Sequence, residues 1–151
     1  MRILFFSVLA LLVGDSIAAQ KPLLKVGADD VVVFLGGTDM VRAQESGHLE
    51  TLLTWKFAKA KPRFRDLSWE ADTVFALGTE TERWRRDGYR GIKGLGNLEQ
   101  QLDKIGATVV VVQLGKNEAF AGREGVPKFS AAADRLFTRL KGGERRLVVL
   151  S

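Results

Sequence analysis

Three short segments of the sequence combine small residues with groups that could stabilise a reacting oxygen. The first segment, residues 36–39 (GGTD), places Thr38 directly after Gly36 and Gly37. Glycines at a turn from a strand into a helix let the backbone bend tightly and keep side-chain bulk away from a ligand. The amides and dipole of a helix N-terminus favour negative charge beside the Thr38 hydroxyl. Thr38 is therefore a candidate nucleophile or anion ligand, and the simpler alternative is a threonine that caps a helix.

The second segment, residues 65–73 (RDLSWEADT), offers accessible backbone amides rather than a reactive side chain. Its small residues Ser68 and Ala71 leave room around the main chain. Asp72 and Thr73 can order the turn, because short polar side chains form hydrogen bonds with nearby backbone groups. Taken alone, the segment more often indicates a plain capped loop.

The third segment, residues 115–118 (GKNE), supplies an amide side chain. Asn117 would be a good hydrogen-bond donor to an oxyanion that develops just beyond a central strand. Glu118 could orient Asn117 or bind a neighbouring loop. The alternative is a turn that Asn117 caps. None of the three segments is specific by itself, so their order and their common location in the fold decide what they indicate.

The composition excludes several kinds of functional site. The 151 residues include no cysteine and one histidine, His48. Disulfide scaffolds, thiolate zinc sites, iron–sulfur clusters, cysteine nucleophiles and His-rich metal sites are therefore excluded. A chain of this length forms one domain of ordinary size. Its net charge of +5 combines 23 basic with 18 acidic residues, which permits anionic partners without indicating nucleic acid.

The N-terminal residues 1–19 have the pattern of a secretory signal peptide. Arg2 precedes an apolar run over residues 3–13, which is too short to span a bilayer. The small residues Ser16 and Ala18 suit cleavage by signal peptidase. We therefore expect a domain over residues 20–151 that is secreted or periplasmic, with no stable membrane span once the signal is removed. The alternative is a buried first strand.

The rest of the chain alternates predicted strands and helices. Strands are predicted at residues 31–35, 64–68, 108–114 and 146–151, of which 31–35 and 108–114 are the clearest apolar runs. Apolar residues at helical spacing occur in three segments between them, at residues 49–57, 95–105 and 132–140. Ser130 is expected to cap the third of these helices, and Trp55 is expected to pack against the domain from the first.

This order predicts a three-layer α/β/α sandwich built on a parallel sheet. Alternating strands and helices favour parallel pairing with helices on both faces. Ligands of such sheets bind beyond the carboxyl ends of the strands. All three segments follow predicted strands, so we expect them to meet along one edge of the sheet.

Together the three segments resemble the sequence blocks of the SGNH (GDSL-type) hydrolase superfamily. The nucleophile block of that family reads Gly-Asp-Ser, and residues 36–38 (GGT) stand in its place. The second block often reads Asn-x-Gly/Ser-x-x-Gly-Asp-Thr, which residues 66–73 match with Asp66 for Asn and Ala71 for Gly. The third block, Gly-x-Asn-Asp, is matched by residues 115–118 with Glu118 as the acid. The likeness covers most of the chain after the signal and is nearest to the exported branch of planctomycete-type bacteria, in which Thr in the first block is familiar.

The resemblance implies a flavodoxin-like α/β fold that works without a metal or other cofactor, and it implies roles for individual residues. Thr38 stands where the nucleophile stands. The oxyanion hole would consist of the Thr38 amide, the Ala71 amide and the side chain of Asn117. The other positions in or beside the three blocks are expected to bind substrate: Gly36, Gly37, Asp39, Ser68, Trp69, Asp72, Gly115 and Glu118.

The general base of the family comes from a fourth block, Asp-x-x-His, which this sequence does not reach. His48 falls on the first predicted helix, away from the strand ends. Base catalysis contributes about 100- to 10,000-fold, so we expect an incomplete domain that is nearly inactive alone. The expected substrate of the intact protein is an acyl ester of a carbohydrate or lipid, either a small molecule or a polysaccharide. The alternative is a non-catalytic relative that binds a glycan or a protein, and nucleic acid is not an expected partner.

Overall fold

The computed structural model describes residues 24–77 and 96–150, so the predicted signal peptide lies outside the described residues. The described strands are β1 (Val31–Gly36), β2 (Arg63–Asp66), β3 (Val109–Gln113) and β4 (Arg146–Leu150). The described helices are α1 (Thr38–Glu45), α2 (His48–Lys56), α3 (Val74–Leu77), α4 (Leu98–Ile105) and α5 (Gly122–Leu140). Short 3-10 turns occur at Glu118–Ala121 and Gly142–Glu144.

The four strands form one parallel sheet in the order β2-β1-β3-β4. The register of the central strand β1 pairs Val33 with Arg65 of β2 and with Val110 of β3. All of β1 and the first four residues of β3 are buried. Uninterrupted apolar runs of this kind suit strands that helices cover on both faces. The predicted parallel α/β sheet is confirmed.

Alternate side chains of β1 enter two separate apolar clusters, one on each face of the sheet. Val31, Val33 and Leu35 pack with residues of α3, α4 and α5. Val32 and Phe34 pack with residues of α1 and α2. Because successive strand residues point to opposite faces, the two clusters lie on either side of the sheet and define three layers.

Local signals begin and end the helices that cover the sheet. Gly47 before α2 (φ 68°) and Gly106 after α4 (φ 71°) adopt the left-handed conformation that glycine reaches most easily. At the start of α4, the Asn97 side chain accepts a hydrogen bond from the Gln100 amide, and the Gln100 side chain accepts one from the Asn97 amide. The reciprocal pair satisfies two amides that would otherwise lack partners at a helix N-terminus.

The start of the last helix differs from the prediction. Ser130 is not a cap but lies inside α5, which begins at Gly122 and continues through Pro127. A proline removes one hydrogen bond to the carbonyl four residues earlier, here that of Arg123. Arg123 is exposed in the first turn, so water can reach the freed carbonyl and the helix continues.

The position of Trp55 also corrects an expectation. Trp55 does not pack against the domain but is 80% exposed. Leu49 and Leu53 form the side of α2 that packs against the sheet, and Leu52 lies outside it with 62% of its surface exposed. α2 is therefore apolar on both sides, whereas the outer face of a surface helix is normally polar. None of the described helices has both the length and the apolar character needed to cross a bilayer.

Candidate functional site

The carboxyl end of β1 lies in close contact with the segments that follow β2 and β3. The Gly36 carbonyl accepts a hydrogen bond from the Trp69 amide at 3.0 Å, and the Gly37 amide donates to the Gln113 carbonyl at 3.4 Å. A Cβ atom at Gly36 would lie 2.4 Å from the backbone carbonyl oxygen of Gln113, and one at Gly37 would lie 3.1 Å from the backbone carbonyl oxygen of Asp72. The two glycines therefore allow three strand ends to converge on one edge of the sheet.

Thr38 is the first residue of α1, and its hydroxyl contacts the loop after β2. The Thr38 Oγ1 atom accepts a hydrogen bond from the Ala71 amide, which lies 33 positions later in the chain, at 3.2 Å. Gly37 occupies the N-cap position, so Thr38 is not the capping threonine of the simpler interpretation. An amide that donates to this oxygen stabilises negative charge that develops on it. The half-buried Thr38 hydroxyl thus lies where a reacting group would be electrostatically supported.

Ala71 adopts a left-handed backbone conformation with φ 60°. This conformation costs a residue with a Cβ atom about 1–2 kcal/mol relative to the right-handed one, and the family pattern has glycine at the matching position. The N–H of Ala71 nevertheless donates to Thr38, so the amide donor survives the added methyl group. The adjoining turn supports the strained residue through a hydrogen bond from the Asp72 amide to the Trp69 carbonyl at 3.1 Å.

Short polar side chains order the rest of this loop. Asp66 Oδ1 accepts a hydrogen bond from the Ser68 amide at 2.8 Å. Thr73 Oγ1 accepts one from the Ala76 amide at 3.0 Å and so caps α3. The predicted contribution of Thr73 to the turn is confirmed, while that of Asp66 was missed although Asp is a common side chain for such turns. Asp72 between them is buried, with 6% of its surface exposed.

Glu118 holds the third segment against the second. Its Oε1 atom accepts a hydrogen bond from the Val74 amide at 2.7 Å, and its Oε2 atom accepts one from the Gly115 amide at 3.0 Å. Of the two roles predicted for Glu118, binding to a neighbouring loop is the one that the structure contains. A single carboxylate therefore fixes the loop after β3 against the start of α3.

An ion pair that sequence reasoning missed closes the same edge. Lys116 Nζ lies 2.5 Å from Asp39 Oδ1, and the two side chains are 56% and 42% exposed. The pair joins residues 77 positions apart, and nothing in the local sequence specifies such a partner. Exposed ion pairs contribute little to the free energy of unfolding. The contact between Asp39 and Lys116 therefore matters for where these two side chains lie at the site rather than for the stability of the fold.

The predicted site residues line or adjoin one small depression with a cavity volume of about 10 Å³, room for about one water molecule. Its lining comprises Gly37, Thr38, Asp39, Asp72, Gln113, Leu114, Gly115, Lys116 and Asn117. Gly36 and Ala71 adjoin it through the contacts described above. Ser68 and Trp69 are half-buried in the same loop, beside this lining rather than in it. The three segments that the sequence singles out therefore meet at one place.

A larger groove of about 230 Å³ begins at Asn117 and was missed by sequence reasoning. It is lined by Thr73, Phe75, Asn117, Glu118, Ala121, Gly125, Lys128 and Phe129. Lys128 Nζ lies 5.2 Å from the centre of the Phe75 ring, a cation–π distance. The groove offers an apolar surface next to the polar depression.

The one histidine of the chain lies apart from this edge. His48 is exposed at the first residue of α2 and lines neither the depression nor the groove. Thr38 thus has no imidazole base beside it among the described residues. In the same part of the chain, no group of three or more His, Cys, Asp or Glu side chains could hold a metal ion.

Comparisons with known proteins bear on the fold. No family model matches the sequence, and no curated protein matches it. Among solved structures, the chain is similar to a Parabacteroides merdae protein named provisionally as a GDSL-like lipase, with a TM-score of 0.54 and 19% sequence identity. The chain has a GDSL-like α/β fold. The match covers 83% of this chain and 60% of that one, so the chain spans less than two thirds of the GDSL-like protein.

Proposed function

We propose that this chain is part of an exported SGNH-like hydrolase that cleaves carboxylic esters. The observation that carries the proposal is the hydrogen bond from the Ala71 amide to the Thr38 hydroxyl, at a depression that Asn117 also lines. A hydroxyl nucleophile, a backbone donor and a side-chain donor around one point are the parts that acyl transfer needs.

In the proposed reaction, the Thr38 oxygen attacks the acyl carbon of the ester and the carbonyl electrons move onto the carbonyl oxygen. The amide of Thr38 and the side chain of Asn117 would donate hydrogen bonds to this oxyanion, and the Ala71 amide would join them by exchanging its contact with Thr38 Oγ1 for the oxyanion. Its collapse breaks the ester bond, and the leaving oxygen takes the proton that the general base accepted from Thr38, so the alcohol departs and the acyl group stays on Thr38. Water then removes that group as the carboxylic acid. A donor of this kind typically contributes about 100- to 1,000-fold to the rate.

The proposed general base belongs to a segment encoded beyond Ser151. An unactivated hydroxyl is a weak nucleophile, so Thr38 needs a neighbouring group to accept its proton. The lining of the depression includes no histidine. The match to the GDSL-like lipase covers only 60% of that chain, which is compatible with a further block. We therefore propose that an Asp-x-x-His segment completes the site.

The proposed substrate is a lipid or carbohydrate ester whose acyl group enters the apolar groove. The groove volume of about 230 Å³ lies below the usual range of roughly 300–1,000 Å³ for small-molecule sites, so the groove suits a short acyl chain. The groove shares Asn117 with the depression, so an acyl chain in the groove would have its carbonyl carbon near Thr38. Phe75 and Phe129 would contact the chain.

Hydrolysis of p-nitrophenyl acetate by the complete gene product tests this function. Thr38→Ala should abolish hydrolysis, and Asn117→Ala should lower kcat about 100- to 1,000-fold. Thr38→Ser should retain or raise activity, because serine lacks the methyl group that crowds the attacking oxygen. Thr51→Ala, which changes an exposed threonine of α2, is the matched control and should leave the rate unchanged. Full activity of Thr38→Ala would show that Thr38 is not the nucleophile. A native stop codon directly after Ser151 would contradict the proposed source of the general base.

A non-catalytic binding module is the second candidate function. The observation that favours it is the exposed position of His48 on α2, because His48 there cannot act as a base for Thr38. The site also carries Thr38 where the resembled family has serine. In that case the strand ends would bind a glycan or a protein without turnover. Binding on a glycan array by a complete gene product that has no esterase activity would support this candidate over the hydrolase.

A further inference from the structure

The outer side of α2 combines exposed apolar side chains with lysines. Leu52 and Trp55 are 62% and 80% exposed. Lys56, within α2, and Lys59, in the turn that follows, are also exposed. Leu52, Trp55 and Lys56 are spaced i, i+3 and i+4, so they lie along one side of the helix, and Lys59 follows in the turn beyond its end. We call these four residues the α2 stripe.

Basic residues predominate around the α2 stripe, although the exposed Glu50 lies in the first turn of α2 and the exposed Asp66 ends β2. Residues 51–65 contain no Asp or Glu and five basic residues: Lys56, Lys59, Lys61, Arg63 and Arg65. All five are exposed. Since the whole chain has a net charge of +5, the remainder of the chain is electrically balanced. Five basic residues without an intervening acid therefore extend from the end of α2 into the neighbouring edge strand β2.

We propose that the α2 stripe docks the protein on the surface of an anionic lipid bilayer. An indole ring and a leucine side chain beside lysines suit the boundary between lipid headgroups and acyl chains. Lysine stems cover apolar surface while their ammonium groups remain at the headgroups. Basic residues beside such a helix are attracted to the negative surface potential of anionic lipid.

The composition of the stripe favours lipid over a soluble polyanion. The cations would attract nucleic acid or an acidic glycan equally well, and Trp55 could stack on a base or a sugar ring. An exposed leucine gains nothing from those partners, because it needs a hydrocarbon surface to leave water. Leu52 beside Trp55 therefore points to lipid.

The geometry of α2 allows surface docking without loss of the fold. The helix has nine residues, and at about 1.5 Å per residue it can lie flat along a bilayer surface. Leu49 and Leu53 stay packed in the cluster beneath the sheet while the α2 stripe faces outward. The proposal concerns binding alone and does not depend on the proposed hydrolysis.

Vesicle sedimentation of the full chain tests the proposal. Vesicles of phosphatidylcholine with phosphatidylglycerol should bind the protein, with much weaker binding to pure phosphatidylcholine and in high salt. Lys56→Gln with Lys59→Gln should weaken binding about 25-fold, since each lysine contributes about fivefold. Leu52→Ala with Trp55→Ala should weaken it on the order of tenfold at unchanged charge. Lys104→Gln with Lys141→Gln removes two exposed lysines elsewhere and should change binding little.

Trp55 fluorescence provides a local readout that binding through the apolar residues 3–13 cannot imitate. In a chain with Trp69→Phe and Trp84→Phe, Trp55 is the remaining indole of three. Its emission should shift to the blue on phosphatidylglycerol vesicles and be quenched by brominated lipid. A Trp55 that stays in water on those vesicles overturns the proposal, even if the protein sediments. The proposal is also overturned if a DNA oligonucleotide or heparin binds the protein as tightly as the vesicles do and if Leu52→Ala with Trp55→Ala leaves that binding unchanged.

Discussion

The carboxylate of Glu118 accepts a hydrogen bond from the amide of Val74, which lies 44 residues earlier in the chain, at 2.7 Å. The other oxygen of the same carboxylate accepts one from the Gly115 amide at 3.0 Å. One side chain thus joins the loop after β2 to the loop after β3. These loops carry Ala71 and Asn117, so the distance between two proposed oxyanion donors depends on Glu118.

Loss of the Glu118 carboxylate should destabilise the protein. Glu118→Ala leaves two part-buried amides without their acceptor, and we expect the free energy of unfolding to fall by about 2 kcal/mol. Urea denaturation followed by circular dichroism measures the change. Glu70→Ala, which removes an exposed glutamate from the loop after β2, should stay within about 0.5 kcal/mol of the unmodified chain. Equal midpoints and slopes for the two variants would show that the bridge contributes nothing.

The sequence predicts the location of this site because parallel strands leave little choice. The valine-rich runs of β1 and β3 indicate buried strands, and the carboxyl ends of parallel neighbours share one edge. The residues directly after those strands must then lie near one another. The hydrogen bond from the Gly37 amide to the Gln113 carbonyl is the outcome of that constraint.

Contacts between distant side chains could not be predicted in the same way. The ion pair of Lys116 with Asp39 depends on rotamers and loop paths that local sequence does not encode. α2 shows a related limit, because Leu49 with Leu53 and Leu52 with Trp55 both offer apolar surface on one helix. Periodicity alone does not decide which of the two sides packs against the sheet, and only the tertiary arrangement selects the first.

Gly36 should tolerate no side chain. A Cβ atom there would lie 2.4 Å from the Gln113 oxygen, a main-chain atom of β3 that cannot move aside without disturbing the sheet. We expect Gly36→Ala to lower the free energy of unfolding by about 3 kcal/mol, as overpacking in a core does. Gly27→Ala is the control, since its added atom would meet its nearest neighbour at 3.6 Å. A melting temperature of Gly36→Ala equal to that of Gly27→Ala would contradict this packing.

Ala71→Gly should stabilise the protein. Glycine removes the cost of a Cβ atom at φ 60°, about 1–2 kcal/mol, and adds about 0.4–1 kcal/mol of chain entropy to the unfolded state. The expected net gain is about 0.5–1 kcal/mol by urea denaturation. Ala131→Gly, in the exposed middle of α5, should instead lose about 1 kcal/mol. The opposite signs separate relief of strain from a general effect of glycine, and a destabilised Ala71→Gly would argue against the strained conformation.

Acid should weaken the protein partly through Asp30, at the end of the sheet away from the site. Burial raises the pKa of the Asp30 carboxyl, but hydrogen bonds from the Gly27 amide, Arg146 and Thr108 outweigh burial and leave the pKa below its ordinary value of 3.8. The folded carboxyl therefore binds its proton less readily than the unfolded one. The contribution of this carboxyl to stability is complete above the unfolded pKa of about 4 and is lost as the pH falls through the lowered folded pKa.

Thermal unfolding between about pH 7 and about pH 2.5 measures this loss. The melting temperature should decline less for Asp30→Asn than for the unmodified chain, because the variant has no carboxyl at position 30 to take up a proton. Asp29→Asn changes the exposed neighbour and should keep the full decline, so parallel curves for both variants would place the acid sensitivity elsewhere.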